Sequence, residues 1–374
     1  VTEPHASSLE RSSIGHESAA LIDLGAIRHN VGHFVSVADG ARVMVVVKAN
    51  GYGHGAVDVA RAALEGGASW LGVADLAEAI ELRDAGIDAP LVAWLHESHE
   101  KFTAALENGI DIGVSDVDQL ASVAAAHRAL GGRPASVHLK LDTGLGRNGA
   151  PEGDWVALFD EARRLEESGH LSVRGIFSHL SNADDSEDDR QLARLLRGVD
   201  AARRVDLAPQ LRHLASTAAA VRLPHTRLDL VRIGIGAYGL SPFDDDSSAA
   251  LGLRPAMTLR STVVAVAPSS DADFPARAGI VPLGYGDGIP PQAAGRIHVT
   301  GESGTLLVTR IESDHLVVEP VSPGADATRG DVVTLFGDPA EHVTAADDWA
   351  RAAGTINYEI VTRLGPRIPR RYSA

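Results

Sequence analysis

Short apolar, β-branched runs recur through the first two-thirds of the chain, each followed by a stretch with apolar positions at helical spacing. The runs are VMVVV (43–47), WLGVA (70–74), PLVAWL (90–95), IDIGV (110–114), SVHLKL (136–141), VRGIFSHL (173–180), LRHLAS (211–216) and LDLVRIG (228–234). Between them lie AVDVARAALEGG, DLAEAIELRDAG, DVDQLASVAAAHRALGG and DRQLARLLRGVDAARRV. Several of these close on glycine, as helix C-termini do. Continuous apolar strands separated by amphipathic helices form a parallel sheet covered on its faces. Eight such units predict an α/β fold built on a closed (β/α)8 barrel.

The pattern then changes. SPFDDDSSAALGLRPA (241–256) is a polar, acidic connection, followed by strand-like runs broken by Gly, Pro, Asp and Ser without a long helical pattern. This predicts a mostly β second domain. An early strand, SAALIDL (18–24), is surplus to the eight and is free to pair with that domain. The expected layout is a tail at 1–17, a barrel domain at 18–242 and a β domain at 243–374.

Composition narrows the function classes. Hydrophobic residues make up 44% of 374 and charged residues 22%, as in soluble globular proteins. No apolar run approaches the ~20 residues that span a bilayer. A net charge of −16 argues against nucleic acid as a partner. There is no cysteine, hence no thiolate nucleophile, and the 16 histidines show no metal-binding signature, so no metal is expected. The polar, acidic opening does not resemble a secretory signal, and a cytoplasmic setting is expected.

In an eight-fold barrel, chemistry sits where the strands end at their C-terminal face. Those positions hold Lys48, Lys140, Arg147, His179, Ser216, Arg232 and Gly234. Ser216 and the Gly234-Ile235-Gly236 turn follow the seventh and eighth strands, where such barrels cradle phosphate. A lysine at the tip of a buried strand has its charged form disfavoured and suits Schiff-base chemistry. Lys48 with a phosphate site on one rim points to pyridoxal phosphate. The plainer readings stay open: Lys48 capping its strand in solvent, His179 as a structural histidine, Arg147 paired with a nearby acid, Tyr285 in GYGDG as an exposed turn residue. Lys140 points into a crowded barrel and needs a counter-charge or a modification. Two glycine runs, GLGRNG (144–149) and GIGAYG (234–239), keep a nicotinamide-dependent oxidoreductase as an alternative of another class.

Taken together, these residues resemble the alanine racemase family of fold-type III pyridoxal-phosphate enzymes. The likeness is carried by VVVKANGYGHG, HLKLDTGLGRNG, FSHLSNAD, RHLASTAAA, VRIGIGAYGLSP, PLGYGDG and INYEIVTRLGPRIPRRY, in order along the chain. The resemblance implies that Lys48 binds the cofactor covalently and exchanges the Cα proton on one face. Tyr285, from the partner of a head-to-tail homodimer, would act on the other. It implies that His179 and Arg232 support the pyridine ring, and that Tyr52, Ser216, Gly234 and Tyr358 hold the phosphate. Arg147 would steer the substrate carboxylate, and Lys140 matches a lysine often carbamylated in the family. The implied product is D-alanine for cell-wall peptidoglycan.

One segment departs from the family pattern. Glu312-Ser313-Asp314 stands where a Met-containing segment is usual. A backbone contact to the substrate survives at Ser313, but the pocket wall becomes small and polar, which extends the expected substrates to a larger or serine-like amino acid. A pyridoxal-phosphate-binding homeostasis protein has the same barrel but no use for the β domain or Tyr285.

Overall fold

The computed structural model describes residues 18–97, 99–268, 277–321 and 325–374, so the expected tail lies outside them. The chain divides into two compact units, one of Asp23–Ala256 and one in which residues 18–22 join Met257–Ser373.

Strand β1 (Ala19–Asp23) leads into the helix Leu24–Val37, whose first turn is capped by the Asp23 side chain accepting from the Ala26 N–H. Eight parallel strands then close a barrel. They are β2 (Arg42–Val46), β3 (Trp70–Val73), β4 (Leu91–Ala93), β5 (Asp111–Val114), β6 (Ala135–Lys140), β7 (Leu171–Phe177), β8 (Leu211–Ser216) and β9 (Leu230–Ile233). Closure pairs β2 with β9, with Met44 opposite Arg232 and Val45 opposite Ile233. Met44, Trp70, Val92, Leu211 and Leu230 form one buried cluster inside it.

A repeated local signal starts the helices. Asp75, Asp116 and Asp184 each accept from the backbone N–H three residues on, at Glu78, Gln119 and Glu187. An aspartate followed at that spacing by Glu or Gln is a helix-starting pattern. It places a polar residue of each connection at the barrel mouth.

The second unit is a nine-stranded sheet. After β1 its strands are β10 (Met257–Thr262), β11 (Ala265–Pro268), β12 (Arg277–Val281), β13 (His298–Gly301), β14 (Gly304–Ile311), β15 (Leu316–Pro320), β16 (Val332–Phe336) and β17 (Arg370–Ser373). Their order is β11-β12-β15-β14-β13-β16-β10-β1-β17. The surplus early strand lies antiparallel to β10, with Ala19 opposite Arg260 and Ile22 opposite Met257. Two helices, Ala346–Ala353 and Asn357–Thr362, lie in a region where the sequence pattern predicted none. At eight and six residues they are too short for helical periodicity to stand out. The first is anchored by Trp349, whose Nε1–H donates to the Leu335 carbonyl at 2.7 Å. No helix among the described residues is long and apolar enough to cross a membrane.

Candidate active site

Strand β2 ends in a left-handed turn. Ala49, Asn50, Gly51 and Tyr52 have φ of 53°, 53°, 60° and 49°. For a residue with a Cβ this region costs about 1–2 kcal/mol. The surroundings hold the turn closed. The Gly51 N–H donates to the Val47 carbonyl at 2.8 Å, and the Asn50 side-chain oxygen accepts from the Ala56 N–H at 2.9 Å. Glu78 accepts from the Ala49 and Ala74 N–H groups. Lys48 begins this turn, with its ammonium 5.8 Å from the centre of the Tyr52 ring. Burial and the nearby Arg147 charge lower its pKa, and Glu78 opposes them.

Other cations share this end of the barrel. Lys140 ends β6, only 7% exposed, and burial with the charges of Arg232, Arg147 and Lys48 lowers its pKa to about 8. Arg147 stands exposed on the following loop, which Asp142 shapes by accepting from the Gly144 and Gly146 N–H groups. Arg232 on β9 is buried. Its Nη2 donates to the carbonyls of Ser178 and Leu214 at 2.7 and 3.0 Å and to His179 Nδ1 at 3.1 Å. Burial lowers even this guanidinium to about 10, still far above neutrality. Burial and four neighbouring cations lower His179 to about 2, so it is neutral, accepting at Nδ1 and carrying its hydrogen on Nε2.

Hydroxyls and backbone meet where β8 and β9 end. Thr217, next after Ser216, accepts from the Gly234 N–H at 3.2 Å. A Cβ at Gly234 would lie 2.8 Å from the Tyr52 hydroxyl, so only glycine leaves this space clear. GIGAYG continues as a tight 3-10 turn, Ile235–Tyr238, and not as an α-helix. The pyrophosphate-binding geometry that a nicotinamide site needs is therefore not formed there.

In the second unit, Tyr285 starts the 3-10 turn Tyr285–Asp287 with its side chain 53% exposed. The hairpin loop between β14 and β15 holds its backbone: the Tyr285 and Gly286 N–H groups donate to the carbonyls of Glu312 and Ser313 at 2.8 and 2.9 Å. A Cβ at Gly284 would come within 2.3 Å of the Glu312 oxygen, so glycine permits this approach. Below the turn, the buried Asp287 accepts from the Gly284 N–H and pairs with both forks of Arg367 at 2.7 and 2.8 Å. Ser313 is exposed. Tyr358 lies half-buried on the helix Asn357–Thr362, and burial raises its phenol to about 12.

The sequence model of the alanine racemase N-terminal domain matches residues 22–242, and that of the alanine racemase C-terminal domain matches 257–372. The chain belongs to the alanine racemase family. It is 46% identical over 372 residues to an alanine racemase of Thermobifida fusca, covering 95% of this chain and 97% of the relative. It is 43% identical over 370 residues to that of Beutenbergia cavernae, covering 95% and 97%. Among solved structures, alanine racemase from D-cycloserine-producing Streptomyces lavendulae superposes with a TM-score of 0.92 at 40% identity, covering 97% of this chain and 98% of that one.

Against this alanine racemase frame, Lys48, Tyr52, Lys140, Arg147, His179, Ser216, Arg232 and Gly234 all lie in the barrel unit. Tyr285 and Ser313 are neighbours in the β unit. Sequence reasoning missed Glu78, Thr217 and Arg367. Glu78 had a visible signal, as the third residue of a helix-starting pattern at a strand end. It also missed Trp94, which follows β4 half-buried against Gly72 and Gly113 on the flanking strands, where a Cβ would come within 2.6 and 2.8 Å of it.

Proposed function

We propose that the protein interconverts L-alanine and D-alanine using pyridoxal 5'-phosphate held at the barrel mouth. The observation that carries this reading is Lys48, with its charged form disfavoured, beside a positive rim and a hydroxyl-lined glycine turn. Such a donor set fits a phosphorylated aromatic aldehyde: an amine for the aldehyde, an obligatory donor for the ring nitrogen, and hydroxyls with backbone N–H for the phosphate. When bound, this cofactor delocalises the electron pair left after a Cα proton departs.

The chain's residues have distinct tasks on this reading. Lys48 holds the cofactor and moves the proton on one face of Cα. Tyr285 of the partner subunit, in a head-to-tail homodimer, moves it on the other, since one side chain does not reach both faces of a flat adduct. Tyr52, Ser216, Gly234 and Tyr358 hold the phosphate. Arg232 donates to the ring nitrogen and, being hard to deprotonate, leaves it without a proton. Neutral His179 supports the ring, and Arg147 draws in the substrate carboxylate. A carbamate on Lys140 would give Arg147 an anionic partner. The product would serve cell-wall peptidoglycan, and a cytoplasmic setting fits that use. The exposed, polar Glu312-Ser313-Asp314 loop favours a second reading, in which serine or a similar small amino acid is also turned over.

The test is a yellow holoenzyme, incubated with single L-amino acids and followed by loss of optical rotation. L-Alanine is expected to racemise fastest. Borohydride reduction and peptide mapping should place the pyridoxyl group on Lys48, and a label on any other lysine overturns the assignment.

A further inference from the structure

Below Arg232 the barrel interior holds polar side chains that the proposed reaction leaves unused. His213 on β8 and His138 on β6 are fully buried, and Asp111, which opens β5, is 4% exposed. Arg232 Nη1 meets His213 Nδ1 at 3.2 Å, and His213 Nε2 meets His138 Nδ1 at 3.0 Å. His138 Nε2 meets Asp111 Oδ2 at 3.0 Å, and Arg174 closes the row on Asp111 at 3.1 Å.

Donor counting gives this row one direction. A guanidinium has no acceptor, so His213 accepts at Nδ1. Burial, with Arg232 and His138, keeps His213 well below the ordinary imidazole range, so it is neutral. Its single hydrogen is then on Nε2 and donates to His138 Nδ1. The His138 hydrogen is consequently on Nε2 and donates to the Asp111 carboxylate. A proton added at His138 Nδ1 would face the His213 Nε2–H directly.

The surroundings are shaped for the row. The pairing of β6 with β7 shifts register between Val137 and His138, an irregularity of the kind that re-aims a side chain. Gly175 faces His138 across that pair, and a Cβ there would lie 2.3 Å from the imidazole. Phe177 stacks on His213 with centroids 4.5 Å apart, and Trp70 meets the His138 ring edge-on at 5.6 Å. Apolar side chains would fill the same interior without desolvating polar groups. The chain instead carries a satisfied polar row ending at the residue assigned to the cofactor's ring nitrogen.

We propose that Asp111, His138 and His213 are positioning residues for Arg232. The anionic end fixes the tautomer of each histidine in turn, so that His213 always presents an acceptor to Nη1. With Nη2 on the Ser178 and Leu214 carbonyls and on His179, the guanidinium plane is held on both of its terminal nitrogens. This inference rests on the reading that Arg232 donates to the ring nitrogen.

The test compares apoenzyme affinity for pyridoxal phosphate with that for its carbocyclic analogue, which has C–H in place of the ring nitrogen. Wild type should prefer pyridoxal phosphate. Asp111→Leu and His213→Phe should weaken pyridoxal phosphate about tenfold, the worth of one charged hydrogen bond, and leave the analogue unchanged. Asp111→Asn, which still offers His138 an acceptor, should keep the preference. Equal weakening of both ligands, or a preference that survives in the first two variants, overturns the positioning role while Arg232 keeps its assignment. A wild type without preference overturns the assignment of Arg232, and the relay's purpose with it. If a variant does not fold, nitrogen-15 shifts of labelled histidine in the wild-type protein decide: hydrogen on His213 Nδ1 or His138 Nδ1 refutes the direction.

Discussion

The turn that carries Lys48 and the turn that carries Tyr285 are both tight, glycine-flanked and pinned through their backbones. They differ in what they do with the side chain. The Lys48 turn stores left-handed strain at Ala49, Asn50 and Tyr52 and lies among partners within its own barrel: Glu78, Tyr52 and the rim cations. The Tyr285 turn has an ordinary backbone, a buried Asp287 beneath it paired with the exposed Arg367, and a phenol half in solvent. Strain and desolvation accumulate where a group must be tuned. A rigid platform under an exposed aromatic suits a group that is presented to something else. The comparison supports the proposed division, in which Lys48 would serve the chain's own site and Tyr285 would be presented to a partner's.

The largest expected effect breaks or confirms that division. Lys48→Ala and Tyr285→Phe homodimers should each lose activity by about a hundred- to ten-thousand-fold, as loss of a general acid–base does. Unfolded together, refolded and given cofactor, the two should form mixed dimers with one site carrying both lesions and one carrying neither. Random pairing makes about half the dimers mixed, so activity should return to roughly a quarter of wild type. Mixed dimers confirmed by mass but inactive would show that the tyrosine serves its own chain or is not the second base.

A smaller effect separates platform from pocket. Burial pushes the Asp287 carboxyl up, but the Arg367 fork and the Gly284 N–H outweigh it and hold it below its ordinary value. Arg367→Ala should lower the melting temperature modestly, because Asp287 loses both forks of the pair while the Arg367 side chain, 62% exposed, is screened by solvent. Activity should fall about tenfold, with the affinity for pyridoxal phosphate unchanged. The sign with pH follows from a depressed acid: the stabilisation is present above the ordinary carboxylate range and is lost as pH falls through the folded value. Thermal melts of wild type and Arg367→Ala should thus differ at neutrality and converge below about pH 4. An equal loss of cofactor affinity would mean that the Tyr285 turn is not an independent platform.

The two regions also differed in how far the sequence revealed them. Eight apolar runs with helical spacers led to the barrel because an unbroken apolar run and a 3.6-residue period are local properties. Lys48, His179 and Arg232 were visible because a polar residue at the end of an apolar run is conspicuous. His138 and His213 were not, because their meaning depends on which strands lie opposite one another inside a closed barrel. Asp111 sits in the apolar run IDIGV, where one carboxylate gives no hint of a partner 27 residues away. Arg367 was hidden for the same reason, 80 residues from Asp287. The left-handed turn was half visible: three glycines marked a bend, but nothing local required Ala49 and Tyr52 to adopt it.

Lys140 sharpens the electrostatic side of the comparison. With its pKa at about 8, roughly half its amine is neutral at that pH. The neutral nitrogen can attack the carbon of carbon dioxide and lose a proton, leaving a carbamate among the rim cations. Carbon-13 bicarbonate should give a carbamate signal that grows from pH 7 to 9 and is absent in Lys140→Ala, and its absence in wild type refutes the modification. Activity should fall a few-fold in carbon-dioxide-free buffer. For the unmodified lysine, the depressed value acts against stability at neutral pH. That burden lightens as pH rises from about 8 toward the ordinary 10.5.

The smallest expected effect concerns Ser313, which shares the Tyr285 platform. Its carbonyl is engaged by the Gly286 N–H, so its backbone is fixed whatever side chain it carries. The side chain itself is exposed. If the residue acts through its N–H on the substrate carboxylate, Ser313→Ala should change alanine kcat/KM by no more than about twofold, as surface substitutions away from buried features do. Ser313→Met should replace a small polar wall with a flexible apolar one. The ratio of alanine to serine turnover should then rise, with serine losing most. Parallel assays on L-alanine and L-serine read both variants. A large loss of alanine activity in Ser313→Ala would show that the hydroxyl itself binds substrate. The Tyr285 platform would then present two functional side chains and not one.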